Sequence, residues 1–235
     1  MRALAARTLV SERLRESAGA SFDRLAPCYL LMERLLAGKK LQRCRTVHLP
    51  QSNARSVLVL GPGRGGFLPE FFRTNHQAEV TCVDLSTRML AHTRARVLQN
   101  DFDPKRLRLV HGNVLEERFW EGRPWSFDLV VSHFFLDCFQ PQQLEFVISK
   151  VAGVTKQNCA WLVADFRLPD HGIWRLRARM ILRLAYTFFR VMTNLPARRV
   201  TPPEPYLMQQ GFTLENRQLF DKGLLHSDLW RLMPR

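Results

Sequence analysis

The chain lacks any uncharged apolar run approaching the roughly 20 residues that a membrane-crossing helix needs. Its start also lacks the apolar core of a secretory signal, so a cytoplasmic protein is expected. Arg2, Arg7, Arg13 and Arg15 are interrupted by Glu12 and Glu16, which speaks against a transit peptide and for an amphipathic helix capping the domain. Cysteine is sparse and odd in number: Cys28, Cys44, Cys82, Cys138 and Cys159 form no C-x-x-C pair. That argues against a disulfide framework and a structural zinc, and for reduced, mostly buried thiols. Repeats, linkers and low-complexity runs are missing, and 235 residues with 46% hydrophobics suit one α/β core. Acid is scarce as well: the net charge is +14, and no Asp or Glu occurs from His171 to Pro203.

What is present is organised around one turn. Residues 57–67, Val-Leu-Val-Leu-Gly-Pro-Gly-Arg-Gly-Gly-Phe, run an aliphatic strand straight into a glycine-rich bend. Gly61, Gly63 and Gly65 let the backbone turn tightly and approach a ligand with no Cβ in the way, and the helix that follows points free N–H groups at it. Asp84 ends the next strand, Glu79–Asp84, roughly 20 residues on, where an acid can accept both hydroxyls of a ribose. Gly61, Gly63 and Gly66 also satisfy the G-x-G-x-x-G pattern of dinucleotide sites, and the plainer alternative is a turn whose glycines serve packing.

Further strands follow at 107–113, 126–132 and 159–165, with helical stretches at about 68–74, 86–99, 114–120 and 140–154. Strand and helix alternate, which calls for a parallel sheet covered on both faces. The rhythm then changes: Phe212–Phe220 and Leu224–Leu232, joined by Asp221-Lys222-Gly223, read as a terminal antiparallel hairpin.

In this order of elements the sequence resembles the class I S-adenosylmethionine-dependent methyltransferases over nearly its whole length. The resemblance implies an α/β, Rossmann-like, doubly wound sheet of seven strands with a C-terminal antiparallel hairpin. It also implies an N-terminal helical cap over 1–50, then a catalytic domain over 51–235 with a helical insertion at about 170–200. Gly61, Pro62, Gly63 and Gly65 are similar to the family's first turn. Asp84-Leu85 through Met89 resembles its second motif, where the acid holds the ribose and an apolar residue packs on adenine. Gly112-Asn113-Val114 is similar to the motif that reads the adenine edge, and Phe127–His133, with Ser132, to the fourth. Leu207–Phe212 resembles the short helix and Gly-Phe turn before strand six. S-adenosyl-L-methionine is the implied cofactor. Two departures stand out: Val59 occupies the place of an acid that usually helps hold the methionine ammonium, and Pro62 removes an N–H from the turn.

Ser21–Tyr29 resembles a segment found ahead of the core in ubiquinone- and menaquinone-type methyltransferases, which places Tyr29 near the methionine end; helical packing of Phe22, Leu25 and Tyr29 is the alternative. Lys39, Lys40 and Arg43 are candidates for the cofactor carboxylate. In the acid-free stretch, Arg175, Arg179, Arg183 and Arg190 line one helical stripe opposite Leu176, Met180, Leu184 and Phe188. Three readings stay open for it: contact of 172–195 with an anionic membrane, tracking of RNA phosphates, and an apolar stripe packed on the core with arginines in water. The motifs expected of an RNA enzyme are missing. Tyr186, Phe189 and Met192 are candidate walls of the acceptor pocket.

Just past the fourth strand stand His133 and Asp137. His133 is a candidate general base, or else a pocket residue that moves no proton. Asp137 is placed to orient His133 or to cap the next helix. No histidine has a second ligand at metal spacing, so no metal is assigned, and the five tryptophans are too scattered for a stacking platform. The reading is a methyltransferase acting on a small, lipophilic or aromatic acceptor. An NAD(P)-linked oxidoreductase shares Gly61 to Asp84 but leaves the hairpin unexplained, and Val59 with Pro62 admits a degenerate binding module.

Overall fold

Val57–Leu60 is four apolar residues in a row, which suits only a strand covered on both faces. In the computed structural model, which describes residues 38–49, 54–193 and 200–234 (backbone only at 38, 39 and 189–193), this segment is the centre of the sheet. The helix α1 (Gly38–Thr46) leads into β1 (Ser56–Leu60), α2 (Leu68–Thr74), β2 (Glu79–Asp84), α3 (Thr87–Leu98), β3 (Leu107–His111) and α4 (Glu117–Trp120). Then come β4 (Phe127–His133), α5 (Pro141–Ala152), β5 (Thr155–Phe166), α6 (Gly172–Thr193), α7 (Glu204–Gln209), β6 (Phe212–Phe220) and β7 (Leu225–Leu232). The seven strands lie in the order β3-β2-β1-β4-β5-β7-β6. Pairing is parallel from β3 to β5, and β7 runs antiparallel to both β5 and β6.

Alternation along β1 divides two cores. Leu58 and Leu60 pack with Val130, Trp161 and Leu144, Val147, Ile148 and Val151 of α5. Val57 and Val59 face the other way, onto Phe71 and Phe72 of α2 and Leu90 and Val97 of α3. A third cluster ties Leu41 and Cys44 of α1 to Ala178, Leu182 and Tyr186 of α6 over the ends of β5 and β7.

Most expected elements are found where the residues place them, and the differences have local causes. The helix expected over 114–120 begins only at Glu117, because the Asn113 carboxamide oxygen accepts from the Leu115 N–H (3.0 Å) and bends the chain first. In α6 one of the three open readings, the apolar stripe packed on the core, is overturned, and Arg179 and Arg183 lie beside that stripe and not opposite it. The stripe of Leu176, Met180 and Leu184 faces outward, and the helix packs through Ala178, Leu182, Ala185 and Tyr186 instead. The sequence carries two apolar stripes here, and the one with two alanines permits the closer approach to Ala164. Among the described residues no helix is long and apolar enough to cross a membrane.

The terminal hairpin is locked by charge. Asp228 of β7 is fully buried and accepts two hydrogen bonds from Arg217 of β6 (2.7 and 2.6 Å), while Arg217 also reaches Glu204 (2.8 Å) and His226 Nδ1 lies 3.0 Å from the same carboxylate. Burial pushes the Asp228 acid up, but Arg217 and His226 outweigh it and hold it below the usual range. Arg217→Leu should therefore strand a buried carboxylate and cost about 3 kcal/mol in urea unfolding, with Asp228→Asn added to it restoring a part.

Candidate cofactor and acceptor site

The three glycines of the turn do different work. All have positive φ, +60° at Gly61, +56° at Gly63 and +66° at Gly65, a region that only glycine enters cheaply. A Cβ on Gly61 would stand 2.4 Å from the Phe135 ring, and one on Gly65 would stand 3.2 Å from the Thr93 Cα, so both positions are closed by packing. At Gly63 a Cβ would meet nothing within 4 Å. Gly63 is thus where a ligand can come against bare backbone. The turn is fastened by Gly61 N–H to Val83 O (2.9 Å), Gly65 N–H to the Pro62 carbonyl (2.9 Å) and the Thr93 hydroxyl to Gly63 O (3.1 Å).

Asp84, at the tip of β2, accepts from the Ser86 N–H (2.9 Å). Burial pushes its carboxyl up to about 6, against the pull of the Ser86, Gly63 and Leu85 main-chain N–H groups. The Gly63 N–H ties the acid to the glycine turn, with Leu85 partly accessible beside it. Met89 is buried on α3, and its N–H donates to Oγ of Ser86, the residue that caps the helix (3.1 Å). Asn113 is committed to its own loop through Leu115 and Glu116 (3.0 and 3.3 Å), although an amide N–H remains for a base edge. Val114 is buried behind it, its carbonyl taken by the Trp120 indole (2.9 Å). Ser132 requires a correction: its hydroxyl is fully buried and accepts from Trp161 Nε1 (2.9 Å), so the side chain braces the sheet and does not face a ligand.

Tyr29 lies outside the described residues. Of the cations proposed for a carboxylate, Lys40 is paired with Asp221 (2.5 Å) and Arg43 points to solvent. The cation that approaches the turn is Arg45, which the sequence reading passed over. The Gln42 amide donates to Gly66 O (3.1 Å) and holds α1 over the turn, and the Arg45 guanidinium lies 5.1 Å from the Phe134 ring centre. A spacing of three residues along one helical face is the signal that links Gln42 to Arg45.

His133, at the end of β4, is buried edge-on against Phe67 (5.0 Å), and its Nδ1 has no partner. Burial first, then the charges of Arg45 and His48, push it down to about 3. The imidazole is therefore neutral and weakly basic at ordinary pH. Asp137 neither orients it nor caps α5, whose start is closed by the Gln140 N–H bonded to the Gln143 side chain (3.1 Å). Phe134 takes a left-handed turn (φ +54°), and the chain after it brings Asp137 round to Asp165 at the end of β5. Both acids are buried, and neither Asp165 oxygen receives a hydrogen bond of good geometry. Such a pair is satisfied when one proton is held between the two carboxyls. Burial pushes Asp137 up to about 6, and burial with the facing Asp137 charge raises Asp165 well above the carboxylate range. The Tyr186 hydroxyl donates to the Asp137 carbonyl (3.1 Å), so α6 packs against this corner. The side chains of Phe189 and Met192 lie outside the described residues. No group of residues able to hold a metal occurs among those described.

Residues 58–160 match the family described as a methyltransferase domain. The matched segment carries the glycine turn, Asp84 and His133, so this part of the chain is similar to a methyltransferase domain. Solved methyltransferases share its fold. An O-methyltransferase family protein from Burkholderia thailandensis aligns at 18% identity and TM-score 0.67 over 97% of this chain and 62% of that one. The mitomycin 7-O-methyltransferase MmcR aligns at 14% identity and TM-score 0.64 over 90% of this chain and 60% of that one. The N-methyltransferase NodS from Bradyrhizobium japonicum WM9, solved with S-adenosylhomocysteine, aligns at 12% identity and TM-score 0.62 over 92% and 98%. The chain thus spans about three fifths of the two O-methyltransferases, and at these identities the likeness is one of fold. No curated protein matches it in sequence.

The carboxyl pair gives the domain a pH signature. Folded Asp137 and Asp165 hold their protons more tightly than the unfolded chain does. Their contribution to stability is full below the ordinary carboxyl range; that of Asp137 is lost as pH rises through about 6, and that of Asp165 is lost as pH rises through its own raised value. Replacing one acid by an amide supplies a donor and removes the loss. Asp165→Asn should be more stable than the wild type at pH 8 by about 2 kcal/mol and near parity below pH 4, read from urea unfolding across that range.

Proposed function

We propose that the chain transfers a methyl group from S-adenosylmethionine to a small lipophilic or aromatic acceptor. The observation that carries this reading is the open face at Gly63 with the Asp84 carboxyl beside it, at the carboxyl ends of β1 and β2. In this assignment Gly61 to Gly65 receive the cofactor's main chain, Asp84 takes the ribose hydroxyls, Leu85 packs on adenine, and the spare Asn113 amide N–H meets the base edge. Arg45 is the cation assigned to the carboxylate of the methionine moiety. Val59 lies in the core beneath the turn, so the ammonium is left to main-chain carbonyls. The bound cofactor supplies an electrophilic methyl group, and the protein's part is to position and deprotonate the acceptor.

Aromatic side chains surround the corner where an acceptor would sit. Phe134 meets Phe166 (5.4 Å) and Phe135 meets Phe139 (5.1 Å), with Tyr186 above. This lining favours a flat apolar molecule, in keeping with the mitomycin and pyocyanin biosynthetic enzymes among the similar folds. For an acidic hydroxyl the proton acceptor assigned is the Asp137–Asp165 pair, in which burial raises Asp137 to about 6; His133 at about 3 is too weak a base and serves as a neutral wall.

Titration calorimetry with S-adenosylhomocysteine tests the cofactor assignment. Asp84→Ala should weaken binding by roughly 1.5–3 kcal/mol, and Gly63→Val should do worse by filling the approach, while unchanged affinity in either folded variant would sink the assignment. Once a panel of hydroxylated aromatics yields an acceptor, Asp137→Asn should lower kcat by about 10²–10⁴-fold and remove the ionisation near pH 6. His133→Gln should keep that ionisation and alter mainly KM.

A further inference from the structure

We infer that the outward face of α6 is a docking surface for an anionic lipid bilayer. Ile173, Leu176, Met180 and Leu184 are 73, 67, 61 and 67% exposed, and their spacing sets them on one stripe about three turns long. A single exposed leucine needs no explanation, but four large apolar residues in a row on one helix do. This stripe is not the one that holds α6 to the protein, since Ala178, Leu182, Ala185 and Tyr186 already do that.

The surroundings of the stripe say what covers it. Arg179 and Arg183 flank it, exposed and in no ion pair among the described residues. Arg175 and Arg177, by contrast, are engaged by the Pro169 and Asp170 carbonyls and by Asp221. Trp174 stands at the start of the helix, 45% exposed, with the Lys222 ammonium 5.4 Å from its ring centre, a pairing suited to the headgroup level. From His171 to Pro203 the chain contains no acid. Asp170 and Asp221, the acids at the start of the helix, are each paired with an arginine, and an apolar stripe bordered by the exposed Arg179 and Arg183 is complementary to acyl chains under anionic headgroups. A second copy of the chain would set arginine against arginine when the helix packed on its own image. Nucleic acid would use the arginines and leave the apolar stripe in water.

The inward face of the same helix reaches the acceptor corner through Tyr186, so docking would hold that corner close to a lipid-dissolved acceptor; this last step rests on the methyl-transfer reading, and the docking itself does not. Co-sedimentation with vesicles of phosphatidylcholine, alone or mixed with phosphatidylglycerol, tests it. The wild-type protein should pellet with the anionic vesicles only, and less so as salt rises. Leu176→Glu with Met180→Glu and Leu184→Glu should lower the bound fraction by at least about tenfold, and so should Arg179→Glu with Arg183→Glu. S-adenosylhomocysteine affinity in each variant reports on folding and on the cofactor reading separately. A wild-type protein that stays in the supernatant overturns the proposal, as does pelleting that survives the triple change. A concentration-dependent dimer abolished by the triple change would overturn it in favour of self-association, and salt-sensitive RNA binding without vesicle binding in favour of nucleic acid.

Discussion

Because β1 is hydrogen-bonded to parallel neighbours along both edges and covered by helices on both faces, its carboxyl end can leave the sheet only by a tight turn above the β2 and β4 tips. Everything with chemical content is gathered by that constraint. The chain visits β2 and β3 on one side and β4 and β5 on the other, so the tips of β1 and β4 border the point where the winding reverses. Gly61, Asp84 and His133 all stand at strand ends around this crevice. None is near another in sequence, and the pairing register alone brings them together.

The same architecture explains why the acids at the crevice carry more meaning than the histidine. A strand tip covered by α1 and α6 is dry, and dryness favours whichever form of a group is uncharged. For His133 that is the free base with little proton affinity; for Asp137 it is the protonated acid with its affinity raised to about 6, and for Asp165 the protonated acid with its affinity raised well above the carboxylate range. One environment thus disables the residue that looks basic in isolation and activates the pair that looks inert.

Much of this was legible in the residues. The strand from Phe212 to Phe220 has the bounds its pattern indicates, because the Asp221-Lys222-Gly223 turn punctuates it without ambiguity. The glycine turn and Asp84 could be read for the same reason: only certain residues tolerate positive φ, and an acid is conspicuous at the end of an apolar strand. What could not be read depended on which way a side chain faces. Ser132 is one step from His133 in a strand, and its hydroxyl turns to Trp161. Leu176 and Leu182 are equally apolar, and only the position of Ala164 and α1 decides which of them is covered. The meeting of Asp137 with Asp165 joins two strand ends, and no local pattern announces it.

The placement of β7 has a kinetic side. Although β6 precedes it in the chain, β7 inserts between β5 and β6, and α1 and the turn after it rest on β7 through Cys44 Sγ to His226 O (3.2 Å) and the His48 ring to Ser227 O (3.1 Å). These contacts join residues some 180 positions apart. During synthesis the β5 edge, with Trp161, Leu162 and Val163, has no partner on that side until Leu225–Leu232 emerges from the ribosome. Closure of the sheet is thus a late, non-local event, and the interval before it is when the nascent chain offers an open apolar edge to chaperones or to its neighbours.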